Sequence, residues 1–158
     1  MDWLPVPREF AARLKAQQIK EITATNAVSA RHGLALTAAQ AAEILDERSR
    51  ILREHGRVDI GTRVTQRLIL SFSPSPFVRQ EEYPALLHDL HEIFYYLKNE
   101  TEDTLGDDEL ITRLKEAYEN ECRGDIELLK GKVAAGIVAR FRWEQKTVNA
   151  WGNEAKNR

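Results

Sequence analysis

The placement of helix-breaking residues constrains this chain more than any other feature. Gly33, Gly56, the run Ser73-Pro74-Ser75-Pro76, Gly106 and Gly124 cut it into stretches of helix length. Between them, apolar residues recur at i, i+3 and i+4 rather than in strand-like alternation. Glycine takes the left-handed position that closes a helix, and proline removes a donor and restricts the residue before it. A first helix, long or kinked, therefore runs from Arg8 through Phe10, Ala11, Leu14, Ile19, Ile22, Ala27 and Val28 to His32 and stops at Gly33. Thr37 with Gln40 forms a capping box for a helix from Ala38 to about His55, closed by Gly56. After an extended piece, Arg57-Val58-Asp59-Ile60, a helix spans about Thr62 to Phe72. An acidic helix follows from about Glu81 to Glu102, with Pro84 in its first turn, where the N–H groups are unpaired anyway. Gly106 restarts a helix to about Glu121, with Asp107, Asp108 and Glu109 at the positive end of its dipole. Gly124 and Asp125 supply a stop and an N-cap before a last helix to about Arg142. The expected fold is all-α, a compact single-domain bundle of about six or seven helices over residues 1–142. Residues 143–158 form a polar tail able to make a short docked helix.

A chain of 158 residues can bury a core without disulfides or metal. With 42% hydrophobic and 30% charged residues, disorder and fibrous folds are excluded for most of it. Its apolar runs fall far short of the ~20 residues a bilayer needs. The start, Met1-Asp2-Trp3-Leu4-Pro5, lacks the basic flank and apolar core of a secretory leader. Cys122 is the single cysteine, so no internal disulfide exists, which fits a reducing compartment. The sequon Asn99-Glu100-Thr101 would go unread there. These features point to a cytoplasmic protein with no membrane partner.

The net charge of −2 conceals a segregation. Residues 1–79 carry 12 Lys/Arg against 8 Asp/Glu, residues 80–127 carry 4 against 15, and residues 128–158 carry 7 against 2. Either basic and acidic helices neutralise one another, or an acidic face awaits a basic partner.

Several segments between Thr37 and Lys130 carry a family resemblance: Gly56-Arg57-Val58-Asp59-Ile60-Gly61, Ser75-Pro76-Phe77, Ile93 to Thr101, Asp107-Asp108-Glu109-Leu110-Ile111 and Ile126-Glu127-Leu128-Leu129. The sequence resembles an uncharacterised bacterial all-α family, a domain of unknown function. The resemblance implies a bacterial cytoplasmic protein and carries over no catalytic residues. Ser73 stands where that family's pattern has an acidic residue, and the end after about Arg140 lies outside it.

Motifs that would name a chemistry fail on inspection. Leu36 to Leu45 looks like the opening of a helix-turn-helix, but Asp46-Glu47-Arg48-Ser49-Arg50 continues the helix where the turn belongs. Arg50, Arg53, Arg57, Arg63 and Arg67 make a basic stripe, which alone gives only salt-dependent phosphate affinity, so nucleic acid is disfavoured as a partner. On the acidic helix, Tyr83, Leu86, Leu87, Leu90, Ile93, Phe94 and Leu97 form the core stripe, with His91 at its margin. His88 and Glu92 stand one turn apart on the other face, yet a bundle metal site draws Glu-x-x-His pairs from several helices and no second pair exists. No metal and no cofactor is expected. Cys122 sits at a helix C-terminus among Glu119 and Glu121, which disfavour a thiolate, so it reads as a small buried side chain. Arg123-Gly124-Asp125 is explained by capping. The two glycine-rich echoes of a phosphate loop, at Gly56 and Gly131, lack the Gly-Lys-Ser/Thr ending, and the stretch Glu100 to Ile111 lacks the carboxylate ladder of a calcium loop.

Two features remain. Arg48 falls in the middle of the stripe formed by Ala41, Ile44, Leu45, Ile51 and Leu52, where a charge must be paired or must snorkel out. Glu92 or Glu100 is its expected partner. The second face of helix 81–102, lined by His88, Glu92, Tyr95, Tyr96, Asn99 and Asp103, is the candidate ligand or partner face. The function read from it is a non-enzymatic bacterial interaction module, engaging a protein partner or itself. A small-molecule binder or enzyme on the same face is the alternative, and DNA binding the third. Trp143 and Trp151, two helical turns apart in a basic tail, favour docking on an acidic surface of the same or a second chain.

Overall fold

The computed structural model describes residues 7–156, without the side chains of residue 132 and residues 152–156. The opening stretch Met1 to Pro5 lies outside them. The fold is all-α, and no strand occurs among the described residues. In chain order the helices are α1 (Arg8–Ala24), the single turn α2 (Asn26–Ser29), α3 (Ala38–Glu54), α4 (Arg63–Phe72), α5 (Tyr83–Glu100), α6 (Asp107–Glu116), the single turn α7 (Ile126–Leu128) and α8 (Ala134–Lys156).

The punctuation works as its chemistry dictates. Gly33 and Gly56 adopt left-handed φ of 78° and 65° behind the helices they end. The Thr37 hydroxyl accepts from the Gln40 amide at 3.1 Å and the Gln40 side chain returns a bond to the Thr37 amide at 2.9 Å. Asp125 caps α7 by accepting from the amides of Glu127 and Leu128. α3 runs unbroken through Asp46-Glu47-Arg48, so the turn of a helix-turn-helix is absent there.

Three boundaries differ from the sequence expectation. The helix after Gly106 keeps α geometry only to Glu116 and then widens into a π-helical turn over Ala117–Glu121. The expected last helix is broken early, at Gly131, whose ψ of −115° is non-helical. Beyond that break α8 does not stop at Arg142 but continues to Lys156, so the polar tail is the end of a helix rather than a separate element. Nothing between Trp143 and Trp151 interrupts a helix, and a segment already docked at Ala134, Val138 and Phe141 extends at little cost.

The chain divides into two compact units, Met1–His91 and Glu92–Arg158, with the division inside α5. The first unit buries Ile22, Ile44, Ile51, Leu68, Ile69 and Phe72. Two side chains stitch its connections: the Asn26 amide pairs both ways with the Leu36 backbone at 2.8 and 2.9 Å, and the Gln80 amide does the same with Ala35. The second unit buries Phe94, Leu97, Leu110, Leu114, Tyr118 and Leu129. Removal of each such side chain from water is worth about 1.5–3 kcal/mol. All seven residues of the apolar stripe expected on α5 are buried. No helix of the described residues is long and apolar enough to cross a membrane.

Candidate functional site

Arg48 lies where the helical periodicity places it, on the buried stripe of α3, with 3% of its surface exposed. Its partners are not Glu92 or Glu100. The Nη2 group donates to the carbonyl oxygens of Asp59, at 2.8 Å, and of Gly61, and stands 3.6 Å from the Asp59 carboxylate. Glu92 faces Lys130 at 3.9 Å, and Glu100 accepts from Arg142 at 2.9 Å. The choice of partner has a plain physical cause. An extended segment carries carbonyls that no helix ladder satisfies, and a guanidinium with five donors is suited to collect them. Periodicity reveals the face on which Arg48 lies and cannot reveal which segment crosses it.

The segment so held is the loop after α3. Gln18 of α1 donates to the Ile60 carbonyl at 2.7 Å, so two helices grip consecutive carbonyls of the loop. At its far end the buried Thr62 hydroxyl donates to Glu21 at 2.6 Å and accepts from Gln66 at 2.8 Å. With its backbone fixed, the loop turns its two large apolar side chains away from the core: Val58 is 90% exposed and Ile60 67%. Chemically this is an apolar projection on a loop whose carbonyls are held by side chains of two helices.

The face expected on α5 is only partly a surface. Tyr95 is buried and meets Phe94 edge-on at 5.1 Å between ring centres. His88 and Tyr96 are half-buried, and Asn99 and Asp103 are exposed. The His88 Nδ1 stands 2.9 Å from a Glu47 carboxylate oxygen of α3, and Asp103 lies 3.7 Å from Lys98. Along α5 the ligand atoms of His88, Asp89 and Glu92 fall within 4.8 Å of one another.

The histidine at the margin of the stripe belongs fully to the core. His91 Nδ1 lies 2.6 Å from the Leu87 carbonyl, and its Nε2 lies 2.8 Å from the Thr65 hydroxyl. A carbonyl only accepts, so Nδ1 carries the proton and Nε2 takes the hydroxyl's. Burial, outweighing the bond to Leu87 and joined by repulsion from Arg48 and His88, holds its pKa down to about 4. Its partners come from the preceding turn and from α4, which a helical projection of α5 alone does not contain. Burial, then Glu121 and Asp125, push the Cys122 thiol up, in line with an inert side chain.

The model of a family of unknown function (DUF6323) matches residues 21–147. No curated protein and no solved structure gives a significant match.

Proposed function

Because the chain belongs to this family of unknown function, we propose its role from geometry: a non-enzymatic protein-interaction module whose contact point is the loop 57–61. One observation carries the reading. A buried guanidinium and a glutamine fix the carbonyls of a loop whose own large side chains are 90% and 67% exposed. Ordering a loop costs conformational entropy, and desolvating an arginine costs more. The core receives neither Val58 nor Ile60 in return. Pre-ordered apolar side chains lower the entropy cost of binding, which is the property of a contact site. The reading includes a bacterial cytoplasm, supported by the lone cysteine and by the family resemblance of the sequence.

Site-specific photo-crosslinking in the producing cell tests it. A benzophenone side chain at Val58 is expected to give a discrete protein adduct that Ile60→Asp abolishes, whereas the same probe at the exposed Glu102 gives none. Equal adducts from both positions, or none from Val58, would overturn the reading.

A specific observation favours self-association as a second reading. Past Phe141, the last buried residue of α8 among those whose side chains are described, the helix carries Trp143, Val148 and Trp151 at 66%, 63% and 72% exposure. Its flank holds Arg140, Arg142 and Lys146, complementary to the acidic residues 80–127 of a second copy. Sedimentation of the full chain against Trp143→Gln with Trp151→Gln tests this: a dimer reduced to monomer supports it, and a monomeric full chain sinks it.

A further inference from the structure

A groove of about 560 Å³ opens beside the contact loop, between α1 and the first two turns of α4. Its wall includes Gly61, whose carbonyl Arg48 holds, so the groove begins where the outward-facing loop ends. Along α4, Arg63, Gln66, Arg67 and Leu70 follow at i, i+3, i+4 and i+7 and so share one side of the helix. Arg63, Arg67 and Leu70 are exposed there. From α1 the groove receives one carboxylate, that of Glu21, which already accepts from the Thr62 hydroxyl at 2.6 Å. Among the described residues that line it, two cations therefore stand against one anion, and the positive end of the α4 dipole acts in the same sense.

We propose that this groove takes an acidic segment of a second protein, one that sets an apolar side chain against Val58 and Ile60 and carboxylates against Arg63 and Arg67. The inference rests on the reading of loop 57–61 as a contact point and adds to it the chemistry of the partner. A guanidinium fork pairs with a carboxylate through two parallel hydrogen bonds and has donors left for a further acceptor. An apolar contact with a charged one beside it fixes orientation as well as affinity, because complementary potentials set the register of an interface. A nucleic-acid backbone fits less well. Of the arginines that form a basic stripe in the sequence, Arg50 is engaged by Glu54 at 2.9 Å, and only Arg63 and Arg67 line the groove. Duplex binding draws its strength from many phosphate contacts, and phosphates bring nothing apolar to Val58 and Ile60.

Titration of the ¹⁵N-labelled full chain with the acetylated pentapeptide Glu-Glu-Leu-Glu-Glu, followed by NMR, tests the groove. Amide shifts are expected at Ile60, Arg63 and Arg67. Arg63→Gln with Arg67→Gln should weaken binding at least about tenfold, through the loss of two charge-assisted contacts, with helix content unchanged by circular dichroism. The same peptide with lysine in place of each glutamate should shift none of these amides. The inference is overturned if the acidic peptide shifts none of them, if the double variant binds it as tightly as wild type, or if a mixed-sequence DNA duplex shifts them at lower concentration. Should the double variant fail to fold, Arg67→Gln alone decides. The contact-loop reading fails separately: a Val58 photo-adduct in the cell that survives Arg63→Gln with Arg67→Gln, or one of twice the chain's mass, contradicts the acidic second protein alone, whereas the absence of any Val58 adduct overturns both.

Discussion

Each of the two units contains a buried cation that grips a loop, and the loops differ in what they do with their apolar side chains. In the first, Arg48 holds the carbonyls of Asp59 and Gly61. In the second, Lys98 donates to the Leu105 carbonyl at 3.0 Å and meets Asp107 at 2.8 Å, closing the turn after α5. Lys98 also sits near the C-terminus of its helix, where the dipole favours a cation. The turn that it closes returns Leu105 and Thr101 to the interior, at 4% and 3% exposure. Anchor and hydrophobic burial there serve the same end, the fold. In the first loop they part company, because Val58 and Ile60 point out. A buried charge is therefore no uniform device: one completes a core and the other shapes a surface.

Removing the anchors should separate the two most strongly. Arg48→Ala leaves carbonyls unsatisfied and a cavity in the α3 stripe, and should cost about 3–5 kcal/mol by urea denaturation. Arg48→Met keeps the bulk and should retain most of that stability while freeing the loop. A loop still ordered in Arg48→Met would break the contrast. Truncating the inward side chain of the other loop, Leu105→Ala, should cost about 2–4 kcal/mol. The outward pair should behave oppositely, since Val58→Ser and Ile60→Ser are expected to stay within about 0.5 kcal/mol of wild type. A large loss from either would place that side chain in the core.

Acid should weaken the first unit through His91. The folded pKa of His91, about 4, lies below the ordinary 6.5, so the unfolded chain binds the proton first. Its contribution is fully present above pH 6.5 and is lost as pH falls toward 4, by about 3 kcal/mol in all. The urea midpoint should drop over that window more steeply in wild type than in His91→Gln; parallel curves would show that the ring is not held neutral. The smallest effect belongs to Asp59→Asn. Its carboxylate is one-third exposed and 3.6 Å from the guanidinium, so the change should cost under about 1 kcal/mol. A cost of several kcal/mol would move the weight of the Arg48 contact from the carbonyls to the carboxylate.

What was legible in the sequence follows the same division between local and distant causes. Gly33, Gly56, Thr37 and Asp125 act through their own backbone neighbours, and the helices begin and end where those residues predict. The burial of Arg48 and of the α5 stripe is likewise a matter of angular position on one helix. Partners are different. Asp59 reaches Arg48, Glu47 reaches His88 and Thr65 reaches His91 because separate segments cross, and no spacing within one helix encodes a crossing. Tyr95 shows the converse limit, since it projects opposite the stripe yet is buried where other elements cover that side too. The π-helical turns leave composition and periodicity almost unchanged and so are not legible in the sequence, whereas the break at Gly131 does fall on a glycine, a signal that a helix drawn through it overlooks.

By holding the carbonyls of Asp59 and Gly61, Arg48 should make the outward loop as rigid as the helices beside it. Backbone ¹⁵N relaxation at Val58, Asp59 and Ile60 measures this directly. Order parameters near 0.85, matching those of α3 and falling in Arg48→Met, are the predicted result; values under about 0.6 in the wild-type chain would contradict it.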